Sequence, residues 1–123
     1  MRLHRTVAAI ASAVLLTTTL GLTVASPAQA SHSCGSPAYQ NVDDGYGILK
    51  GAYNLKTAPY SDCGNVAYLG KGTKLYIWCQ VINEYDNFWV YTRVAGTETR
   101  GWMSWDNFSE VTGNRGHCTP YLL

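Results

Sequence analysis

Between residues 75 and 81 the chain alternates without a break. Leu75, Ile77, Cys79 and Val81 are apolar, and Lys74, Tyr76, Trp78 and Gln80 fill the other phase. A period of two, rich in β-branched and aromatic residues, predicts a half-buried strand with one core face and one aromatic outer face. Val66-Ala67-Tyr68-Leu69 precedes it, set off by Gly70-Lys71-Gly72, and the pair predicts a central hairpin over 66–82. The pattern repeats downstream. Phe88, Val90, Thr92 and Val94 share one phase and Trp89, Tyr91 and Arg93 the other, so a second strand carries Trp89 and Tyr91 on its outer, accessible face.

Weaker signals fill the rest. The stretch 46–55 mixes apolar residues with Gly47 and Gly51 and predicts a short strand entering a bend. Residues 56–65, with Pro59, Ser61, Asp62 and Gly64, read as a loop, and 83–87 and 95–100 as turns. Gly101-Trp102-Met103 opens a last short strand, and Asp106-Asn107-Phe108 predicts one helical turn or a tight bend. Short strands at about ten-residue spacing, with no helical period, predict an all-β fold: a small five-stranded barrel in a single domain.

The ends carry no such period. Arg2 and Arg5 precede an apolar stretch over 7–24, and Ala28-Gln29-Ala30 is a small-x-small cleavage site. Residues 1–30 therefore read as a secretory signal peptide, removed before Ser31. A membrane anchor is the rival reading, but four threonines and Gly21 make the stretch weakly apolar. Residues 31–44 read as a polar arm, and 111–123, with Gly113, Gly116 and Pro120, as an irregular tail.

Removal of 30 of the 123 residues leaves a chain that buries only about 60–65% of its unfolded surface. Cysteines change that picture. Cys34, Cys63, Cys79 and Cys118 all follow the signal, and in an exported chain they predict two disulfides, with three pairings open. Two of the nine basic residues leave with the signal, so seven face eight acidic ones with no basic run. Nucleic acid, which would need a positive stripe, is excluded as a partner. Once the signal is cleaved, no membrane segment remains.

Catalysis by cysteine and histidine fails on the same count. His32 and His117 sit in irregular segments beside Cys34 and Cys118, with no frame to hold a base in reach of a thiolate. They read as solvent-exposed, and an oxidising compartment ties up the sulfurs. The same four residues lack the spacing of a zinc site. No catalytic residue, metal or cofactor is expected. The aromatics remain: Tyr76, Trp78, Trp89 and Tyr91 on the outer faces, with Trp102 at the rim, are the candidate ligand-binding residues. Such rings either pair across strands or offer platforms with a polar tip to a ligand.

Several pieces stand in a recognisable order. Asn54-Leu55-Lys56, Pro59, Lys71-Gly72-Thr73-Lys74-Leu75, Trp89 with Arg93, Gly101-Trp102-Met103 and Asn107-Phe108 resemble a bacterial Src homology 3 domain. The resemblance covers about 45–109, within a domain drawn at 45–110. Cys79-Gln80 and a Thr-Gly-x-x-Gly-x-Cys run ending at Cys118 resemble small secreted Gram-positive members. Lys56 stands where that family usually has arginine, Tyr60 where a small residue is common, and Thr92 at a usual valine. The family-like tail implies that Cys118 returns to Cys79, leaving Cys34 with Cys63. The resemblance further implies a secreted, monomeric, non-catalytic module that recognises cell-wall peptidoglycan or its peptides. The alternative is a small effector or inhibitor that binds another secreted protein.

Overall fold

The computed structural model describes residues 32–119. The signal read over 1–30, Ser31, and the last four residues of the tail lie outside the described residues.

Seven strands form one antiparallel sheet: β1 (Tyr46–Leu49), β2 (Tyr53–Lys56), β3 (Asn65–Leu69), β4 (Lys74–Ile82), β5 (Phe88–Val94), β6 (Arg100–Ser104) and β7 (Phe108–Val111). A single 3-10 turn, Trp105–Asn107, links β6 to β7. The spatial order is β3-β2-β6-β5-β4-β1-β7. The all-β expectation holds, but the five-stranded closed barrel does not: there are seven strands, and the ladder ends at β3 and β7. Two local features raise the count. The Lys50-Gly51-Ala52 bend splits the expected first strand into β1 and β2, and Phe108 opens a further strand that reaches Val111, past the drawn domain end.

The central hairpin is also corrected. β3 pairs with β2, and β4 pairs with β5 and β1, so the two halves of 66–82 are not neighbours. The turn between them is tied elsewhere. Gly72, at φ +85°, donates its N–H to the Leu49 carbonyl, and Leu49 donates back to the Thr73 carbonyl. That anchorage to β1 carries the chain away from β3 instead of folding it back. The positive φ is one a side chain rarely adopts, which suits glycine.

Strand β4 keeps its alternation only as far as Ile77. Ile77 faces Thr92, but Cys79 faces Tyr91, so the register slips by one and Trp78 is bulged. A bulge inserts one residue and reverses the side-chain phase beyond it. Leu75 and Ile77 enter the main core with Leu49, Leu55, Val90, Met103 and Phe108. Cys79 instead joins Trp89, Tyr91, Trp102 and Cys118 in a second cluster on the opposite face. The expectation that Cys79 shares the face of Leu75 and Ile77 is thereby overturned.

Beside the bulge, unstructured segments take the place of β1. The Trp78 carbonyl accepts the N–H groups of Val42 and Asp43 at 3.0 and 2.9 Å. Gln80 donates to the Gly116 carbonyl and accepts from Cys118, forming an isolated parallel bridge at His117. Asp43 then joins arm to tail: its buried carboxylate accepts from Gly45, Asn114 and Arg115. Between β6 and β2 the approach is close. A Cβ on Gly101 would stand 2.7 Å from the Lys56 carbonyl oxygen, so only glycine fits that crossing.

Disulfides join Cys34 to Cys63 and Cys79 to Cys118, the pairing that the resemblance implies. Disulfides persist in oxidising, extracellular-type compartments. Among the described residues, no helix is long and apolar enough to cross a membrane.

Candidate functional site

The arm lies on the aromatic face of β4, β5 and β6. Tyr39 stacks on Tyr91 with ring centroids 3.7 Å apart and planes inclined by 14°. Trp78 and Trp102 meet Tyr91 edge-on, at 5.5 and 5.2 Å. The Trp102 indole N–H donates to the Ser36 hydroxyl at 3.0 Å. Tyr91 and Trp102 are therefore buried, and Trp89 with them, so the expectation of accessible outer aromatics fails for these three. Trp89 and Tyr91 do lie on the face opposite Val90, as the alternation predicts. What periodicity could not see is that the outer face has its own cover, made of the arm and the Cys79–Cys118 link. Burial pushes the Tyr91 phenol up to about 12, with the Tyr39 hydroxyl adding to the shift and Arg100 opposing it. Tyr91 is thus neutral at any ordinary pH, as a ring packed between other rings should be.

Tyr76 and Trp78, both half-buried, are the pair that the structure brings to one opening. They line a cleft of about 200 Å³ together with Asn41, Asp44 and Arg93. Each ring has a guanidinium against it: Arg93 lies 5.0 Å from the Tyr76 centroid and Arg100 5.2 Å from that of Trp78. Cations held over such rings gain about 0.5–1 kcal/mol when exposed. One Arg93 nitrogen donates to the Thr97 carbonyl, which fixes the fork at the rim. Asp44, which lines the same cleft, is exposed. Arg93, Arg100 and Asp44 were not among the expected site residues. Arg93 follows Trp89 by four in the matched motif, but only pairing with Tyr76 across the strands reveals its place.

Trp89 turns to a different opening. It lines a cleft of about 180 Å³ with Tyr53, Asn54, Lys56, Ser61 and Asn107. Lys56 is buried, and its ammonium donates to the Asn65 side-chain oxygen. The five expected residues thus divide into Tyr76 and Trp78 at one cleft, Trp89 at another, and Tyr91 and Trp102 beneath the arm.

His32 overturns a different expectation. Its side chain is 2% exposed, not solvated: the imidazole stacks on Tyr60 at 3.7 Å. Its Nε2 lies 2.9 Å from an Asp62 carboxylate oxygen, and its Nδ1 lies 3.2 Å from the Tyr85 hydroxyl. Cys34 and Cys63 stand close enough to His32 for a three-donor cluster. Their sulfurs are joined in a disulfide, however, and the thiolate is the form that binds metal. The arrangement seats the start of the arm.

Comparison with known proteins returns no matching family model, no matching curated protein and no matching solved structure.

Proposed function

We propose that this chain is a secreted, non-catalytic binding module that recognises cell-wall peptidoglycan through its peptide parts. Kinship with bacterial Src homology 3 domains goes with that reading. The motifs that carry the resemblance fall on β2, on the turn before β4, and on β5, β6 and the 3-10 turn. The observation that carries the proposal is the cleft lined by Tyr76, Trp78 and Arg93, in which two half-buried rings each have a guanidinium against them. Rings of this kind give contact area at little entropic cost, and an open cleft with a few polar groups is where a ligand docks. The folded unit acts as a monomer in this reading, and it needs no cofactor.

Pelleting with purified sacculi tests the proposal. The mature protein should sediment with the wall, and free stem peptides should release it. Tyr76→Ala should weaken binding to the wall by about fivefold to 150-fold, as loss of an anchor worth about 1–3 kcal/mol implies. Protein that stays in the supernatant removes the wall from consideration.

A second reading, an effector or inhibitor of another secreted protein, is favoured by the tip of the β4–β5 hairpin. Ile82 and Phe88 face one another there, and both are exposed, as is Tyr85 beside them. Exposed apolar clusters of this kind mark protein contacts. Retention of the wild-type protein on a secreted partner, lost in Phe88→Ser, would separate this reading from the first.

A further inference from the structure

Lysine is rarely buried unless its charge is paired. Lys56 is an exception that calls for a reason. The residue is only 8% exposed, yet among the described residues its ammonium meets no carboxylate. Its hydrogen bond goes to a neutral acceptor, the Asn65 side-chain oxygen. An ammonium has three donors, so that bond leaves two. Taking a cation out of water costs free energy that one neutral acceptor does not restore.

The surroundings show where the remaining donors lead. Lys56 lines the cleft of about 180 Å³ to which Tyr53 and Trp89 contribute the aromatic lining. Asn54, Ser61 and Asn107 supply neutral polar groups around the opening, and among the described residues no acidic one lines it. The position of the lysine is fixed by the backbone. Lys56 pairs with Trp102 of β6 on one side and Asn65 of β3 on the other, so its side chain starts from between two strands. A fixed cation in a cleft that two aromatic residues also line, with no carboxylate partner among the described residues, is complementary to an anionic end carrying a small apolar body. The volume lies below the roughly 300–1,000 Å³ of sites for larger small molecules, which suits the end of a chain rather than its middle.

We propose that the cleft lined by Tyr53, Lys56 and Trp89 is a carboxylate-binding subsite, in which Lys56 receives the terminal carboxylate of a peptide while its last side chain packs against the aromatic lining. The proposal rests on the binding-module reading, and it extends that reading to a second opening, separate from the one at Tyr76 and Trp78. It assigns Lys56 the charge recognition, Trp89 and Tyr53 the packing, and the Asn107 amide a neutral contact at the rim.

The test compares N-acetyl-alanyl-alanine as the free acid with the same dipeptide as its C-terminal amide. Each is titrated into the mature, oxidised protein and followed by the NMR signals of the Trp89 indole and the Lys56 backbone. The acid should shift both signals and bind at least about tenfold more tightly than the amide, and added salt should weaken it. Lys56→Met, confirmed as folded by its melt, should lose the preference, and Lys56→Arg should keep most of it. Equal response to acid and amide in the wild-type protein overturns the subsite without need of any variant. So does a folded Lys56→Met that still prefers the acid. Sacculus pelleting of the wild type separates this outcome from the fate of the parent reading. Discrimination of acid from amide without sedimentation upholds the subsite and removes the wall as the ligand's source. Sedimentation without discrimination does the reverse.

Discussion

The two sides of the sheet are built on different principles. On one side, Leu49, Leu55, Leu75, Ile77, Val90, Met103 and Phe108 come entirely from strands, and strand phase alone brings them together. On the other, Trp89, Tyr91 and Trp102 come from strands, but their cover comes from segments with no regular structure. The first side is closed by periodicity. The second is closed by two cross-links and a few specific contacts, so it is the side that a single covalent change can open. For a domain this small, an aromatic second layer stapled from outside supplies burial that one aliphatic core cannot.

The largest test of that contrast strikes the second layer from within. Trp102 is fully buried, so Trp102→Ala should destabilise the domain by about 3–5 kcal/mol in denaturant melts, the range for a buried aromatic. A loss below about 1 kcal/mol would mean that the second layer is decoration and that the sheet stands on its aliphatic side alone. Removal of the Cys34–Cys63 link by paired alanines comes next. Its separation of 29 residues implies about 3–4 kcal/mol on the chain-entropy account. Amide exchange should locate the loss: protection should fall first in the arm and at Tyr91, while Leu75 and Val90 keep theirs. A uniform fall would show that the two sides are one cooperative unit.

The smallest effect is electrostatic. The Tyr91 phenol is raised in the folded state, chiefly by burial, so the folded protein holds that proton more tightly than the unfolded chain does. The resulting stability is complete below about pH 10, the ordinary tyrosine value, and is lost as pH rises through about 12. Absorbance of tyrosinate should show one tyrosine titrating late. Tyr39→Phe should bring it earlier, since the Tyr39 hydroxyl contributes to the shift. Late titration that ignores Tyr39 would place the cause in the strands rather than in the arm.

These regions also differ in how far the sequence discloses them. The phase of β5 was legible: Val90 and Thr92 lie in the core, and Trp89 and Tyr91 lie opposite. The phase of β4 was legible to Ile77 and then misleading, because the bulge at Trp78 answers to distant donors. Val42 and Asp43 need its carbonyl, and nothing in the local alternation records their demand. Exposure was the harder quantity. Phase says which face a ring takes, and only the arm decides whether that face is wet. Tyr39 and Ser36 sit in a stretch with no period, so their roles as cover had no signal. Phe88 shared the core phase of Val90 and yet is exposed, since it opens the strand at the hairpin tip, beyond the reach of the core. Lys56 stood out as a departure from the motif, but its cleft needs Tyr53, Trp89 and Asn107 from three separate elements. The division of the expected site into two clefts and a buried row follows from those same long-range contacts.

The bridge at Gln80 has a consequence in time. A chain is made from its N-terminus, and β4 exists some thirty-five residues before the segment that completes its edge. Until Gly116 and Cys118 arrive, the Gln80 N–H and C=O lack the partners they have in the folded chain, and Cys79 lacks its own disulfide partner. The longest strand of the sheet therefore has its edge completed late. Contacts this distant in sequence slow the search for the native state. Half-made chains meanwhile present an unsatisfied edge to whatever strand comes near.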